Sequence, residues 1–220
     1  HAGLSFLLAP LDQAGITVRP IQQLTGTSEF NEVFFDGAVT DADLIVGAPG
    51  DGWSVAMGLL QFERGVSTLG QQVGFARELD DLTDLARANG AINDSEIASR
   101  LARARIGLTV MGAHAQRTLG GDITSEAGAA STSKLLWANW HRDLGELAMA
   151  ISGAPSLIGP SHNAEGTPND LHDPEHVELD EWQRLWLFTR ADTIYGGSNE
   201  VQRNIIAERV LGLPREARPS

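Results

Sequence analysis

Gly196-Gly197-Ser198 stands directly before a helix-forming run, Asn199-Glu200-Val201-Gln202-Arg203. Backbone N–H groups at a helix start are unpaired and carry partial positive charge, and two glycines leave no side chain in a ligand's way. Such a turn suits an electron-rich group: a phosphate, a carbonyl or the edge of a flavin ring. The same residues equally suit a plain glycine turn with a serine N-cap, and geometry alone leaves both open. A second constellation is His172-Asp173-Pro174-Glu175-His176, two imidazoles four apart with carboxylates between. Pro174 and the loop-like composition oppose a helix that would aim both rings at one ion, so solvated loop residues and no metal site are expected. His114 and His141 have no partner at ligand spacing, and core or surface roles suffice for them. Glu63-Arg64, set among Leu59, Leu60, Phe62 and Val66, is an acid in apolar company. Taken alone, it is also readable as a charge pair on a solvated helix face.

The bulk numbers limit what these residues can serve. The chain has 220 residues, 42% hydrophobic and 20% charged, enough for one sizeable core and a small second module. Sixteen basic against twenty-nine acidic residues give a net charge of −13, which opposes binding to a nucleic-acid backbone or an anionic membrane surface. The absence of cysteine excludes disulfides, thiolate metal sites and cysteine nucleophiles. The apolar run Leu4–Ala9 lacks the flanks of a signal peptide, and no stretch reaches membrane-spanning length. A cytoplasmic protein is the expectation.

The elements that must carry the chemistry divide near residue 50. Leu4–Ala9, Ile16–Leu24 and Glu32–Phe35 read as strands separated by turn residues at Asp12–Gly15, Thr25–Thr27 and Asp36-Gly37. So few strands would be marginal alone, and the rest of their sheet is expected upstream. From Trp53 the text turns helical: Trp53–Asn89, then Ile97–Arg117, with Ile97, Leu101, Ala104, Leu108, Met111 and Ala115 in one stripe. Asp94 or Ser95 can cap that helix. Further helices are expected over Ser125–Ile151, Asp180–Thr189 and Ser198–Leu211, the first with Trp137, Trp140, Leu144, Ala148 and Ile151 on one face. The stretch Gly153–Glu178 between them reads as a long loop. The predicted fold is mainly α: an up-and-down four-helix bundle over 51–220, preceded at 1–50 by the incomplete end of a β domain. The face with Ile97, Leu101, Leu108, Trp137 and Trp140 offers more apolar surface than a sheet remnant can cover, so assembly through it is expected.

Ile194-Tyr195-Gly196-Gly197-Ser198-Asn199-Glu200-Val201-Gln202-Arg203-Asn204-Ile205-Ile206-Ala207-Glu208-Arg209 resembles the terminal signature of the acyl-CoA dehydrogenases. Asp51–Leu60 is similar to that family's entry into its first carboxy-terminal helix. Gly15-Ile16 and Glu32–Val39 look like the closing strands of its middle domain, and Ser133-Lys134 sits where the family often carries a lysine. The likeness covers essentially the whole chain in order. It implies a three-part fold: an amino-terminal helical domain, a β domain and a carboxy-terminal four-helix domain. Only the last is complete here, so the 220 residues by themselves are expected to be inactive. The implied chemistry is FAD-dependent α,β-dehydrogenation of an acyl-CoA thioester, with electrons passing to an electron-transfer flavoprotein.

That chemistry needs a carboxylate base in a dry pocket. In the commonest members a glutamate just before the Gly-Thr pair of the signature serves, and here that position is Gly196. A minority carry the glutamate on the first bundle helix before an arginine, and Glu63-Arg64 matches them. The resemblance therefore implies Glu63 as base, and Gln61, Phe62, Arg64, Tyr195 and Gly197 at the acyl-CoA. Ser198, Asn199 and Glu200 would face the flavin, although Glu200 replaces the usual glutamine. Two family segments are missing. Arg87–Asn93 lacks Arg-x-x-Phe-Gly, and Ala150–Ala154 replaces Gln-x-Leu-Gly-Gly. These departures resemble divergent actinobacterial members that form heterotetramers with a second acyl-CoA dehydrogenase subunit and act on sterol-type or other bulky acyl groups. A homo-oligomer, a non-catalytic partner subunit or a helical oligomerisation module remain as alternatives.

Overall fold

The computed structural model describes residues 1–120, 126–159 and 178–215, and of residues 61–69, 119, 126 and 127 it describes only the helical backbone. The chain divides into two compact units, His1–Val66 and Ser67–Ser220.

In the first unit, β1 (Phe6–Leu7) pairs antiparallel with β4 (Ile45–Val46), and β2 (Ile16–Ile21) pairs with β3 (Phe30–Phe35) in the register Ile16 to Phe35 and Ile21 to Phe30. β-branched and aromatic residues favour the pleated conformation. Yet Val18, Ile21, Phe30, Val33, Phe34 and Phe35 are all exposed, so the hairpin has neither face buried. The second hairpin strand starts two residues before the predicted Glu32, because Phe30 and Asn31 continue the ladder. α1 (Gly52–Ala88) begins against this unit's backbone. The Gly52 N–H donates to the Leu4 carbonyl at 2.8 Å, and a Cβ there would lie 2.4 Å from the Ser5 carbonyl carbon. Only glycine fits that approach.

In the second unit α1 continues and is followed by α2 (Ser95–Leu119), α3 (Glu126–Ser152), α4 (Glu181–Asp192) and α5 (Asn199–Ile205), the last running into a π-helical turn at Ile206–Val210. The starts are fixed by side chains. Asp94 accepts from the N–H groups of Glu96 and Ile97 at 2.7 and 3.3 Å, and Asp180 forms a capping box with Gln183. Phe75, Leu79, Leu82 and Ala86 of α1 form a stripe at spacings of four and three. They pack with Ile97, Leu101, Leu108 and Met111 of α2 and Leu144, Leu147, Ala148 and Ile151 of α3 in one core.

That core overturns the expected assembly face. Ile97, Leu101 and Leu108 are buried, Trp137 and Trp140 pack against them, and the Trp140 indole donates to the Ala104 carbonyl at 2.8 Å. The stripe faces inward across the α2–α3 contact. Apolar periodicity marks a buried face without saying whether the same chain or another covers it.

The core is also tied by charge. His141 on α3 is 6% exposed; its Nδ1 lies 2.7 Å from Asp192 Oδ2 at the end of α4, and its Nε2 lies 3.0 Å from Glu78 Oε2 on α1. A neutral imidazole carries one N–H, so bonding to a carboxylate at both nitrogens requires the imidazolium. Burial acts to lower the imidazole's pKa, but the hydrogen bonds to Asp192 and then Glu78 outweigh it and raise the value to about 9.

Two outcomes follow from this packing. A Cβ at Gly145 on α3 would lie 2.7 Å from Thr189 Oγ1 and 3.1 Å from the Trp186 Cα of α4, whereas Gly112 on α2 has open space. Gly112→Ala should therefore stabilise by up to about 1 kcal/mol through helix propensity. Gly145→Ala should destabilise, because overpacking of about 1–3 kcal/mol exceeds that gain. Opposite shifts of the urea midpoint are expected, and equal shifts would contradict the close α3–α4 contact. The second outcome concerns pH. The free imidazole loses its proton near 6.5 and the folded one near 9, so the contribution of His141 is complete below pH 6.5 and is lost as pH rises through 9. The midpoint should decline across that window, and His141→Gln should be less stable at neutral pH with a flatter profile. A flat wild-type profile would mean a neutral imidazole.

Candidate active site

α4 ends at Asp192 and α5 begins at Asn199, and the turn between them carries the glycines. Asp192 is fully buried and heavily used. Its Oδ2 faces His141, its Oδ1 accepts from the Tyr195 hydroxyl at 2.7 Å, and its main-chain carbonyl accepts from Lys134 Nζ at 2.5 Å. A lysine on a helix's last carbonyl satisfies a group the helix leaves open and suits its negative end. The same ammonium lies 4.0 Å from the Trp137 ring centroid and 4.6 Å from that of Tyr195. Burial first, then the bond to Asp192, pushes the Tyr195 phenol well above its ordinary pKa, so it stays a neutral donor.

Beyond Tyr195 the backbone turns left-handed at Gly196 (φ 64°) and Gly197 (φ 91°). Both carbonyls accept from the buried Gln202 Nε2 at 3.2 Å, and a Cβ at Gly197 would lie 2.5 Å from that nitrogen. The Asn199 N–H closes the turn onto the Thr193 carbonyl at 3.1 Å, and its side chain donates to Asn139 on α3 at the same distance. Ser198 is the N-cap of α5, its hydroxyl oxygen accepting from the Val201 N–H at 3.4 Å. Gly196 itself is exposed, and among the described residues only Lys134 Cε and Nζ lie within 4 Å of where its Cβ would stand. The result is an open glycine face with an ammonium and two aromatic rings behind it. It can receive a planar or electron-rich group.

Of the residues singled out from the sequence, Tyr195, Gly197, Ser198, Asn199 and Glu200 come together here. Tyr195 is half-buried and Asn199 buried, while Glu200 is exposed. The Glu200 carboxyl is held below its usual range by its own backbone N–H and then by Ser198. Gln61, Phe62, Glu63 and Arg64 lie on α1, where only the backbone is described, and His172–His176 lie outside the described residues. His141 is buried in the core, one of the two roles expected of it, while sequence reasoning missed its partners Glu78 and Asp192, which stand too far away in the chain to form a pattern. The two segments that depart from the family text meet each other. Asn89 Nδ2, at the end of α1, donates to the Ile151 carbonyl at the end of α3 at 2.9 Å.

The acyl-CoA dehydrogenase, C-terminal domain, matches residues 50–211. Over 218 residues the chain is 62% identical to acyl-CoA dehydrogenase IpdE1 of Mycobacterium tuberculosis (strain ATCC 25618 / H37Rv), covering 99% of this chain and 53% of that protein. To IpdE1 of Mycolicibacterium smegmatis (strain ATCC 700084 / mc(2)155) it is 58% identical, covering 99% and 51%. The chain thus spans about half the length of the curated relatives it matches. Among solved structures, the Tcur3481-Tcur3483 steroid ACAD superposes with a TM-score of 0.78 at 24% identity, covering 96% of this chain and 52% of that one. The ChsE4-ChsE5 complex from Mycobacterium tuberculosis gives 0.74 at 20%, covering 96% and 54%. At such identities these structures share the fold. No described helix is long and apolar enough to cross a membrane. With a mostly helical second unit and a domain match spanning 50–211, this chain belongs to the acyl-CoA dehydrogenase family.

Proposed function

We propose that the protein is a subunit of an FAD-dependent acyl-CoA dehydrogenase acting on a steroid-type or similarly bulky acyl thioester, with Glu63 as the base that removes the α proton. The observation that carries the base is the exposed, side-chain-free Gly196. Two other acids stand at the turn among the described residues, and neither suits the task. Asp192 is buried with both carboxylate oxygens bonded, and Glu200 is held ionised below the ordinary range, which weakens it as a base. Glu63 on α1, directly before Arg64, is the remaining match to the family's alternative arrangement.

The glycine turn fits a flavin edge, because Gly196 and Gly197 present no side chain and α5 starts immediately behind them. When bound, FAD supplies the acceptor for the β hydride. Tyr195 and Gly197 would contact the acyl-CoA, as would Gln61, Phe62 and Arg64 on α1, while Ser198, Asn199 and Glu200 would stand toward the flavin. A heteromeric assembly is supported by the departures at Arg87–Asn93 and Ala150–Ala154, which meet through Asn89 and Ile151. It is also supported by the paired subunits named for two proteins of the same fold. Electrons would leave to an electron-transfer flavoprotein. The second reading, a non-catalytic partner subunit, rests on the same departures, and flavin content after co-expression with the partner separates the two.

Glu63→Gln in the full-length protein with its partner should keep flavin and acyl-CoA binding and lower turnover by on the order of 10²–10⁴. Adding Gly196→Glu should restore part of the rate. The rescue is limited by the left-handed backbone at 196, which costs a side-chain-bearing residue roughly 1–2 kcal/mol, and by Lys134 beside it. Wild-type turnover by Glu63→Gln would assign the base to the partner chain.

A further inference from the structure

A chain of acids and a base leads to the glycine turn: Glu78 on α1, His141 on α3 and Asp192 on α4. Proton donors and acceptors alternate along it. The His141 cation donates to Glu78 at one nitrogen and to Asp192 at the other, and the remaining Asp192 oxygen accepts from Tyr195. Each member has the partner its charge requires, so exchanging one leaves another buried group unmatched. Lys134 adds a second hold by donating to the Asp192 main-chain carbonyl while covering the Tyr195 ring. Tyr195 is thereby fixed at its hydroxyl and on its ring face. The residue that follows is the exposed Gly196, and Gln202 grips the Gly196 and Gly197 carbonyls from the other side.

We infer that Asp192, oriented by His141 and Glu78, is a positioning residue that sets the place of Tyr195 and the glycine turn against the acyl-CoA. The inference rests on the reading that Tyr195 and Gly197 meet that substrate. A carboxylate is suited to this because it accepts from an imidazolium and a phenol at once, in two directions, with no proton of its own to place. An asparagine amide offers one acceptor and one donor, so it cannot serve both neighbours as they stand. Asp192 touches no reacting atom and would act through Tyr195. The titratable and charged groups facing it are His141 and Lys134 from α3, Tyr195 from the turn, and Glu78 from α1 through the imidazole.

The test uses the full-length protein with its partner subunit and compares Asp192→Asn, Tyr195→Phe and the double variant. Flavin content and unfolding midpoint are checked first. Each single change should raise KM for acyl-CoA on the order of tenfold, the worth of a hydrogen bond to a charged group. The smaller effect should fall on kcat, and the double variant should be no worse than the poorer single, because both remove one contact. A folded Asp192→Asn with unchanged KM, or a double variant whose losses multiply, overturns the inference. Should Asp192→Asn fail to fold, Tyr195→Phe with unchanged KM has the same force. The second readout does not need turnover. The tyrosinate absorbance that Tyr195→Phe abolishes should appear only above pH 10 in the wild type, beyond the ordinary phenol range, and nearer to it in Asp192→Asn. Coincident titrations would overturn the Asp192 clamp. A wild-type complex that turns over no acyl-CoA would instead defeat the functional reading and leave this titration to decide the clamp.

Discussion

A single protonated imidazole holds three helices of the bundle together. His141 lies between Glu78 of α1 and Asp192 of α4 while standing on α3. Isolated buried charges cost several kcal/mol each, so an apolar trio would give a bundle of similar stability with less risk. What the ionic trio adds is direction. Hydrophobic contacts tolerate rotation of α4 about its axis, whereas a carboxylate bonded at two oxygens and a main-chain carbonyl does not. The end of α4 is the start of the glycine turn, so the orientation of one helix terminus becomes the orientation of the site.

The helices were legible because each carries its own instructions. The Asp94 cap and the apolar stripe of α2 act within one or two turns and were readable before any tertiary contact was known, and the Asp180–Gln183 box that fixes the start of α4 is equally local. The strands were less so. β4 rests on two residues, Ile45 and Val46, whose pairing with Phe6 and Leu7 is set by a distant segment. The buried imidazolium was invisible for the same reason. Its partners lie 63 and 51 residues away, and a lone histidine in an apolar helix face carries no mark of what it will meet. The inward α2 stripe was misread as an assembly face because hydrophobic periodicity reports burial and not the identity of the cover.

The candidate site was legible where its chemistry is local. Ser198 as a cap and the paired glycines as a left-handed turn follow from residue type alone. Gln202 could be read as part of a signature, yet its task of binding the two glycine carbonyls depends on the left-handed backbone that turns them toward the first turn of α5. Lys134 is similar. Its place was recognisable from family likeness, but its bond to Asp192 and its position over two rings depend on how α3 and α4 pack.

Division of labour among the acids follows from these surroundings. A carboxylate that must fix a structure is best fully bonded, and Asp192 is. One that must take a proton from carbon needs a free oxygen and an ordinary or raised pKa, which hydrogen-bond saturation forbids. Glu200, exposed and held ionised at the start of α5, serves the helix terminus instead. Among the described residues the turn thus has its negative charges committed to structure, and Gly196 adds none. On the proposed reading the base would come from another element, which would leave this turn rigid and without a side chain at 196.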